Sequence, residues 1–195
     1  MKKIKSVCVY CASSSKINPR YFEAARETGR LLAQNGMRCV CGAGNQGLMG
    51  TLADSVLKNG GEVLGVIPRF MIDEGWCHKG LTETIETADM HERKERMAQE
   101  ADAVIALPGG CGTMEELFEI ITWKQLGLFL NPIVILNIDG YYNPLIEMLH
   151  NAIGENFMRQ EHARMWQVAQ TPQEAVDAIQ NIPVWDKNIR KIAAI

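Results

Sequence analysis

Short apolar runs alternate with longer stretches of helical periodicity along this chain. Ile4 to Tyr10, Met37 to Cys41, Glu62 to Ile67, Ala103 to Leu107 and Ile133 to Leu136 have the length and make-up of buried strands. Trp166 to Ala169 reads as a last short strand. Between the strands, Tyr21 to Gln34 places Phe22, Ala25, Gly29 and Leu32 on one helical face. Asn18-Pro19 supplies that helix with a cap and a first-turn proline, and Asn35-Gly36 ends it. Further helices follow Gly47, Asp89 and Asn143-Pro144, and Thr171-Pro172-x-Glu174 caps a final one. Strand and helix alternating through short turns predict an α/β fold, a Rossmann-like doubly wound parallel sheet with helices on both faces. With no repeat, low-complexity segment or linker, residues 1–195 read as a single domain. Arg69 to Glu86 breaks the pattern and reads as an irregular flap over a ligand. The helix from Thr113 to Gly127 carries Leu117, Ile120, Ile121, Trp123 and Leu126. That is wider than one apolar stripe and predicts a face buried against a second subunit.

Composition narrows the class without changing the fold. A chain of 195 residues buries about 70% of its unfolded surface, enough for a real core. A net charge of −3 gives no reason to expect a nucleic-acid polymer or an acidic membrane as partner. The basic tip of MKKIKSVCVYCASSSK resembles a signal peptide, but its apolar run is short and is cut by Ser13 to Lys16. No stretch approaches a membrane span, so the cytoplasm is the expected compartment. Cys8-x-x-Cys11 has the spacing of a redox or zinc half-site, yet Cys8 sits inside a strand, where a residue three along points to the other face. Cys39 and Cys41 offer no second such pair, so reduced and mostly buried thiols are expected, with no metal.

The chemistry concentrates in two strand, glycine-loop, helix units. Ala103 to Leu107 is followed by Pro108, which stops the ladder, then by Gly109, Gly110, Cys111, Gly112 and Thr113. Loop amides and a helix N-terminus then converge on one spot and favour an anion there. A phosphate binder gains nothing from a carboxylate at Glu116, close to that spot; an enzyme stabilising positive charge beside a phosphate does. The competing reading is local: Thr113-x-x-Glu116 is a capping box in which Glu116 only closes the helix start. The second unit is Gly42-x-Gly44-x-x-Gly47, and Ser13 lies at the C-terminal end of the first strand, where open α/β sheets bind ligands. As a dinucleotide fingerprint it lacks the acid expected after the next strand, which ends in Pro68-Arg69. Its glycines either face a phosphate or serve strand–helix packing. In Asp89-Met90-His91-Glu92-Arg93-Lys94, Asp89 and Glu92 form a capping box and Glu92 can pair with Arg96. Arg93 and Lys94 near a helix N-terminus oppose the dipole, which points to an anion as their reason. His78 and His91 carry no specific signal.

Taken together, Pro108-Gly109-Gly110-Cys111-Gly112-Thr113-Met114-Glu115-Glu116 and Asp89 to Lys94 resemble the two signature motifs of the Lonely Guy family. Those proteins are cytokinin-activating phosphoribohydrolases long mislabelled lysine decarboxylases. Gly44 to Gly50, Ile121 to Gly127 and Asp139 to Asn143 look like the family as well, so the resemblance spans nearly the whole chain. It implies hydrolysis of the N-glycosidic bond of a nucleoside 5′-monophosphate, with AMP or N6-prenylated AMP as substrate and no cofactor. It implies catalysis by Arg93 and Glu116, and substrate contacts from Lys94, Gly110, Cys111, Gly112, Thr113 and Thr122. Gly44 and Ser13 join that set from their loops. The flap of Phe70 to Lys79 departs from the family pattern, and Glu74 is the position matched to its substrate-contacting glutamate. Cys111 stands where relatives carry an aromatic or aliphatic residue. The resemblance also implies a homodimer or hexamer with sites near subunit contacts.

Two rival readings stay open at this stage. A non-catalytic nucleotide or cofactor carrier on the same fold would not need both Arg93 and Glu116. A dinucleotide oxidoreductase would need the missing ribose-binding acid. A pyridoxal-phosphate decarboxylase would need a Schiff-base lysine, and no lysine sits in an evident cofactor context.

Overall fold

The computed structural model describes residues 3–183 and 185–189; Met1 and Lys2 of the basic tip lie outside the described residues. Among these, seven strands form one sheet: β1 (Ser6–Tyr10), β2 (Arg38–Cys41), β3 (Val63–Pro68), β4 (Glu83–Thr87), β5 (Ala103–Ala106), β6 (Ile133–Leu136) and β7 (Gln167–Ala169). Their order is β4-β3-β2-β1-β5-β6-β7, with every pairing parallel. The chain winds outward from β1 through β4, then returns to the other side of β1 with β5, where Val7 pairs with Ala103. This is the doubly wound, Rossmann-like sheet that the alternation predicts. Its winding reverses between β1 and β5, and the crevice above their C-terminal ends is where such sheets bind ligands.

Both faces of the inner strands are buried, which is why these read as unbroken apolar runs. Ala103 and Ile105 pack with α1 (Pro19–Gln34), α2 (Gly47–Lys58) and α7 (Pro172–Asn181). Val104 and Ala106 pack with α4 (Met90–Gln99), α5 (Cys111–Gln125) and α6 (Asn143–Gly154). Cys8 and Cys11 fall on opposite faces, and four of the six cysteines, all free, are buried. Local signals hold at several helix ends. Asn18 accepts from the Arg20 N–H at 3.2 Å, and Thr171 accepts from the Glu174 N–H at 3.2 Å. No helix among the described residues is long and apolar enough to cross a membrane.

Three expectations need correction. The stretch from Arg69 to Glu86 is not a single irregular flap: it holds α3 (Arg69–Asp73) and most of the edge strand β4. β4 pairs only with β3 and exposes Glu83, Thr84 and Glu86, so it lacks an apolar signal. The flap proper, 74–82, is stitched to the Gly42–Gly47 loop, with Asn45 N donating to Trp76 O at 3.0 Å and His78 N to Ala43 O at 2.8 Å. Next, Asp89 does accept from the His91 and Glu92 amides, but Glu92 reaches the Ala88 N–H, one residue before the cap. Finally, with Glu92 so engaged, Arg96 bonds Gln99 at 3.4 Å rather than Glu92.

α5 is apolar on more than one side, as its sequence predicts. Leu117, Ile120 and Ile121 are buried, while Phe118, Leu126 and the following Leu128 are 41%, 45% and 62% exposed. Its far end also turns Lys124 inward. That side chain donates to Asn131 O at 2.7 Å and lies 5.6 Å from the Trp185 ring centre. Burial pushes its pKa down to about 8.

Candidate active site

The site is built from the two glycine loops on either side of β1. After β2, Gly42 to Gln46 turns the chain into α2, with Gly47 at φ 61°. After β5, Leu107 to Gly110 turns it into α5, and two phenols hold the turn from outside. The Tyr142 hydroxyl donates to Leu107 O at 2.7 Å and the Tyr141 hydroxyl to Gly109 O at 2.6 Å.

α5 begins at Cys111, two residues earlier than its sequence suggests, and Gly110 at its cap position contributes no side-chain bond. Thr113 is therefore inside the first turn, buried and packed against Gly109, where an added Cβ would lie 2.1 Å from its hydroxyl oxygen. The expected Thr113–Glu116 capping box does not form. The first amides of the helix have no helical partner, as at any helix start, and here no side chain occupies them.

Glu116, one turn further in, is instead bonded to Arg93. Its Oε1 accepts from Arg93 Nη1 at 3.0 Å, and the two side chains are 10% and 6% exposed. Arg93 is fixed at its other end as Nε donates to the Val66 carbonyl of β3 at 3.1 Å. Its remaining nitrogen, Nη2, lies over Gly42 so closely that a Cβ there would sit 1.8 Å away. The neighbouring Lys94 ties α4 to α5 a second time, bonding Glu115 and, at 3.1 Å, Glu119. Burial works against the Lys94 ammonium, but the two glutamates outweigh it and raise its pKa. Burial likewise pushes the Glu116 carboxyl above the usual carboxylate range, and the Arg93 guanidinium pulls it back only in part. A buried ion pair of this kind adds little net stability.

Arg93 and Glu116 line a cavity of about 600 Å³ at the switch point. Ser13, Gly44, Gly110, Cys111, Gly112 and Thr113 line it too. Met49, Ile67, Met71, Trp76 and Met90 give it an apolar wall. Periodicity does not reveal that wall, since its members come from five different elements. A methionine in the first turn of a helix, as at Met49 and Met90, is the one signal that could have marked it.

Known proteins share both the sequence and the fold. Residues 49–179 match the family described as possible lysine decarboxylase. The chain is 41% identical over 195 residues to cytokinin riboside 5′-monophosphate phosphoribohydrolase LOG7 of Arabidopsis thaliana, covering 95% of this chain and 90% of the relative. It is 40% identical over 190 residues to the LOG5 protein of the same name and plant, covering 97% and 83%. The chain belongs to the Lonely Guy (LOG) family. Among solved structures, the LOG chain superposes on the molybdenum cofactor carrier protein of Chlamydomonas reinhardtii with a TM-score of 0.69 at 18% identity, covering 91% of this chain and 96% of the carrier. The molybdenum cofactor binding protein of Rippkaea orientalis gives 0.68 at 20%, with the same coverage. At that identity the likeness speaks for the fold alone.

Three expected contacts of the LOG chain lie away from its cavity. Lys94 is turned to Glu115 and Glu119. Thr122 is exposed on the outer side of α5 and donates to Phe118 O at 2.8 Å. Glu74 is the exposed C-cap of α3. No lysine lines the cavity among the described residues.

Proposed function

We propose that this LOG-family chain hydrolyses the N-glycosidic bond of adenosine 5′-monophosphate or its N6-modified forms, releasing free base and ribose 5-phosphate. The observation that carries the reading is the buried Arg93–Glu116 pair beside the uncapped start of α5, in one cavity. The amides of Gly110 to Thr113 and the helix dipole hold the 5′-phosphate. That grip, remote from the reacting carbon, orients the sugar over the pair. As the base departs with the bonding electrons, positive charge builds on C1′ and the ring oxygen. Glu116 stabilises it, as a fixed carboxylate does in other glycosidic cleavages, and water completes the hydrolysis. Arg93 keeps Glu116 aimed and ionised. The methionine and tryptophan wall receives the base and its N6 substituent.

The reading extends to a homodimer and to the cytoplasm. Phe118, Leu126 and Leu128 offer an apolar face for a second copy, and six free thiols suit a reducing compartment. Thr122 shares the face of Phe118, one helical turn away, so its contact is with a substrate in the partner's cavity. Glu74 and Lys94 enter through the family pattern.

Incubation with AMP and with prenylated AMP, followed by chromatography for free base, tests the reaction. Glu116→Gln is expected to lose about 10²–10³ in rate, the scale of one electrostatic stabiliser. Normal turnover by that variant would remove Glu116 from the chemistry, and nucleotide binding without base release would leave a carrier.

A further inference from the structure

We infer that Tyr141 is a positioning residue for the phosphate loop: its hydroxyl holds the Gly109–Gly110 peptide in the orientation that turns the Gly110 N–H toward the cavity. This deepens the proposed function and rests on it for the identity of the ligand, a sugar 5′-phosphate.

A peptide between two glycines has no Cβ on either side to resist rotation, so it can flip. One orientation presents an N–H to the cavity and the other presents a carbonyl, which repels phosphate. The described chain has no cis peptide, and in a trans peptide C=O and N–H point to opposite sides. The Tyr141 hydroxyl takes the Gly109 carbonyl from outside, at 2.6 Å, and Tyr141 does not line the cavity whereas Gly110 does. A Cβ built on Gly110 meets nothing within 4 Å, so this residue borders open space.

Tyr141 is itself held. Its ring meets Tyr21 edge-on at 5.7 Å and Tyr142 at 5.0 Å, and its N–H donates to Ile138 O at 3.1 Å. The turn before it places Asp139 at φ 49°, and the Asp139 carboxylate accepts from Arg20 Nη1 at 2.9 Å. Tyr142 provides an internal control. Its hydroxyl holds the Leu107 carbonyl in the same manner, but the nitrogen of that peptide belongs to Pro108 and has no N–H to aim.

Tyr141→Phe keeps the ring and removes the hydroxyl. Binding of ribose 5-phosphate and of adenosine is measured by calorimetry on the wild type, Tyr141→Phe and Tyr142→Phe, together with kcat and KM for AMP. The expected result for Tyr141→Phe is an approximately tenfold weaker Kd for ribose 5-phosphate, the scale of one charge-assisted hydrogen bond. KM for AMP rises with it, kcat stays within about threefold and adenosine binding is unchanged. Tyr142→Phe is expected to lower the melting temperature and leave the ribose 5-phosphate Kd within about twofold. An unchanged Kd in Tyr141→Phe, a matching loss for adenosine, or equal weakening in both variants would overturn the inference. Ribose 5-phosphate binding needs no turnover. A chain that binds it and releases no base therefore sinks the hydrolase reading while Tyr141 is still judged on the binding ratio.

Discussion

The two glycine loops that flank β1 look alike in sequence and differ in what their glycines face. In the loop after β2 the space is already filled by protein. A Cβ at Gly42 would strike the Arg93 guanidinium, and one at Gly47 would lie 2.4 Å from the Ser13 carbonyl carbon on a backbone at φ 61°. After β5, an added Cβ at Gly109 would strike Thr113, but Gly110 at the end of the loop and Gly112 in the first turn of α5 have nothing within 4 Å. The first loop is thin so that protein can close on it, and the second so that something else can. A glycine motif therefore names a close approach without saying whether the visitor is a ligand or another part of the chain.

Substitutions that separate these roles test the contrast, and the largest effect is expected at Gly47. Gly47→Ala combines a strained φ with a backbone clash and is expected to cost about 3 kcal/mol or more in denaturant unfolding. A near-native stability would break the contrast on its first side. Gly42→Ala is expected to fold and to lose roughly 10² in kcat, because the displaced Arg93 no longer steadies Glu116. A change in KM alone would place its effect on ligand instead. Gly112→Ala should do the reverse: about tenfold higher KM for a 5′-phosphate substrate, because its methyl group takes up cavity space beside the phosphate. It should also make the fold up to about 1 kcal/mol more stable, as alanine suits a helix better.

The pH profile sharpens the same division. Glu116 works as a carboxylate and burial raises its pKa, so activity falls on acidification at a pH above that of an ordinary glutamate, about 4.3. Gly42→Ala should move that limb upward by loosening the guanidinium, while Gly112→Ala should leave it in place. Lys124, far down α5, serves as the smallest and most local case. Its pKa is lowered to about 8 in the fold, so folding prefers the neutral amine. The cost is fully present below pH 8, up to about 3 kcal/mol before its bond to Asn131 offsets part of it, and is gone above the unfolded value near 10.4. Any stability advantage of Lys124→Met over the wild type should therefore shrink through that window, a difference that cancels the buried thiols and tyrosines common to both, and the variant should keep its KM.

The alternation of strands and helices was legible because both faces of the sheet are covered, which makes each inner strand a continuous apolar run. Edge strand β4 was not, since Glu83, Thr84 and Glu86 face solvent and leave no pattern. The glycine loops were legible as turns, and the convergence of Arg93 and Glu116 was legible only through family resemblance. The two are 23 residues apart on different helices, and periodicity tells which face a residue takes, not whom it meets. Thr113 misled for a related reason: it has a capping sequence, but the Gly109–Gly110 backbone lets the helix start before it. The apolar wall was hidden because its members are scattered over α2, β3, α3, the flap and α4.

β1 pairs with β2 on one edge and with β5 on the other. During synthesis, a nascent chain that has reached Gln99 already holds one loop and the arginine but neither the carboxylate nor the second loop. Strands β1 to β4 can zip together first, leaving one edge of β1 open and the guanidinium without its counter-charge. Docking of β5 is the step that both closes that edge and creates the pocket, so the appearance of ligand binding during refolding times the joining of the two halves.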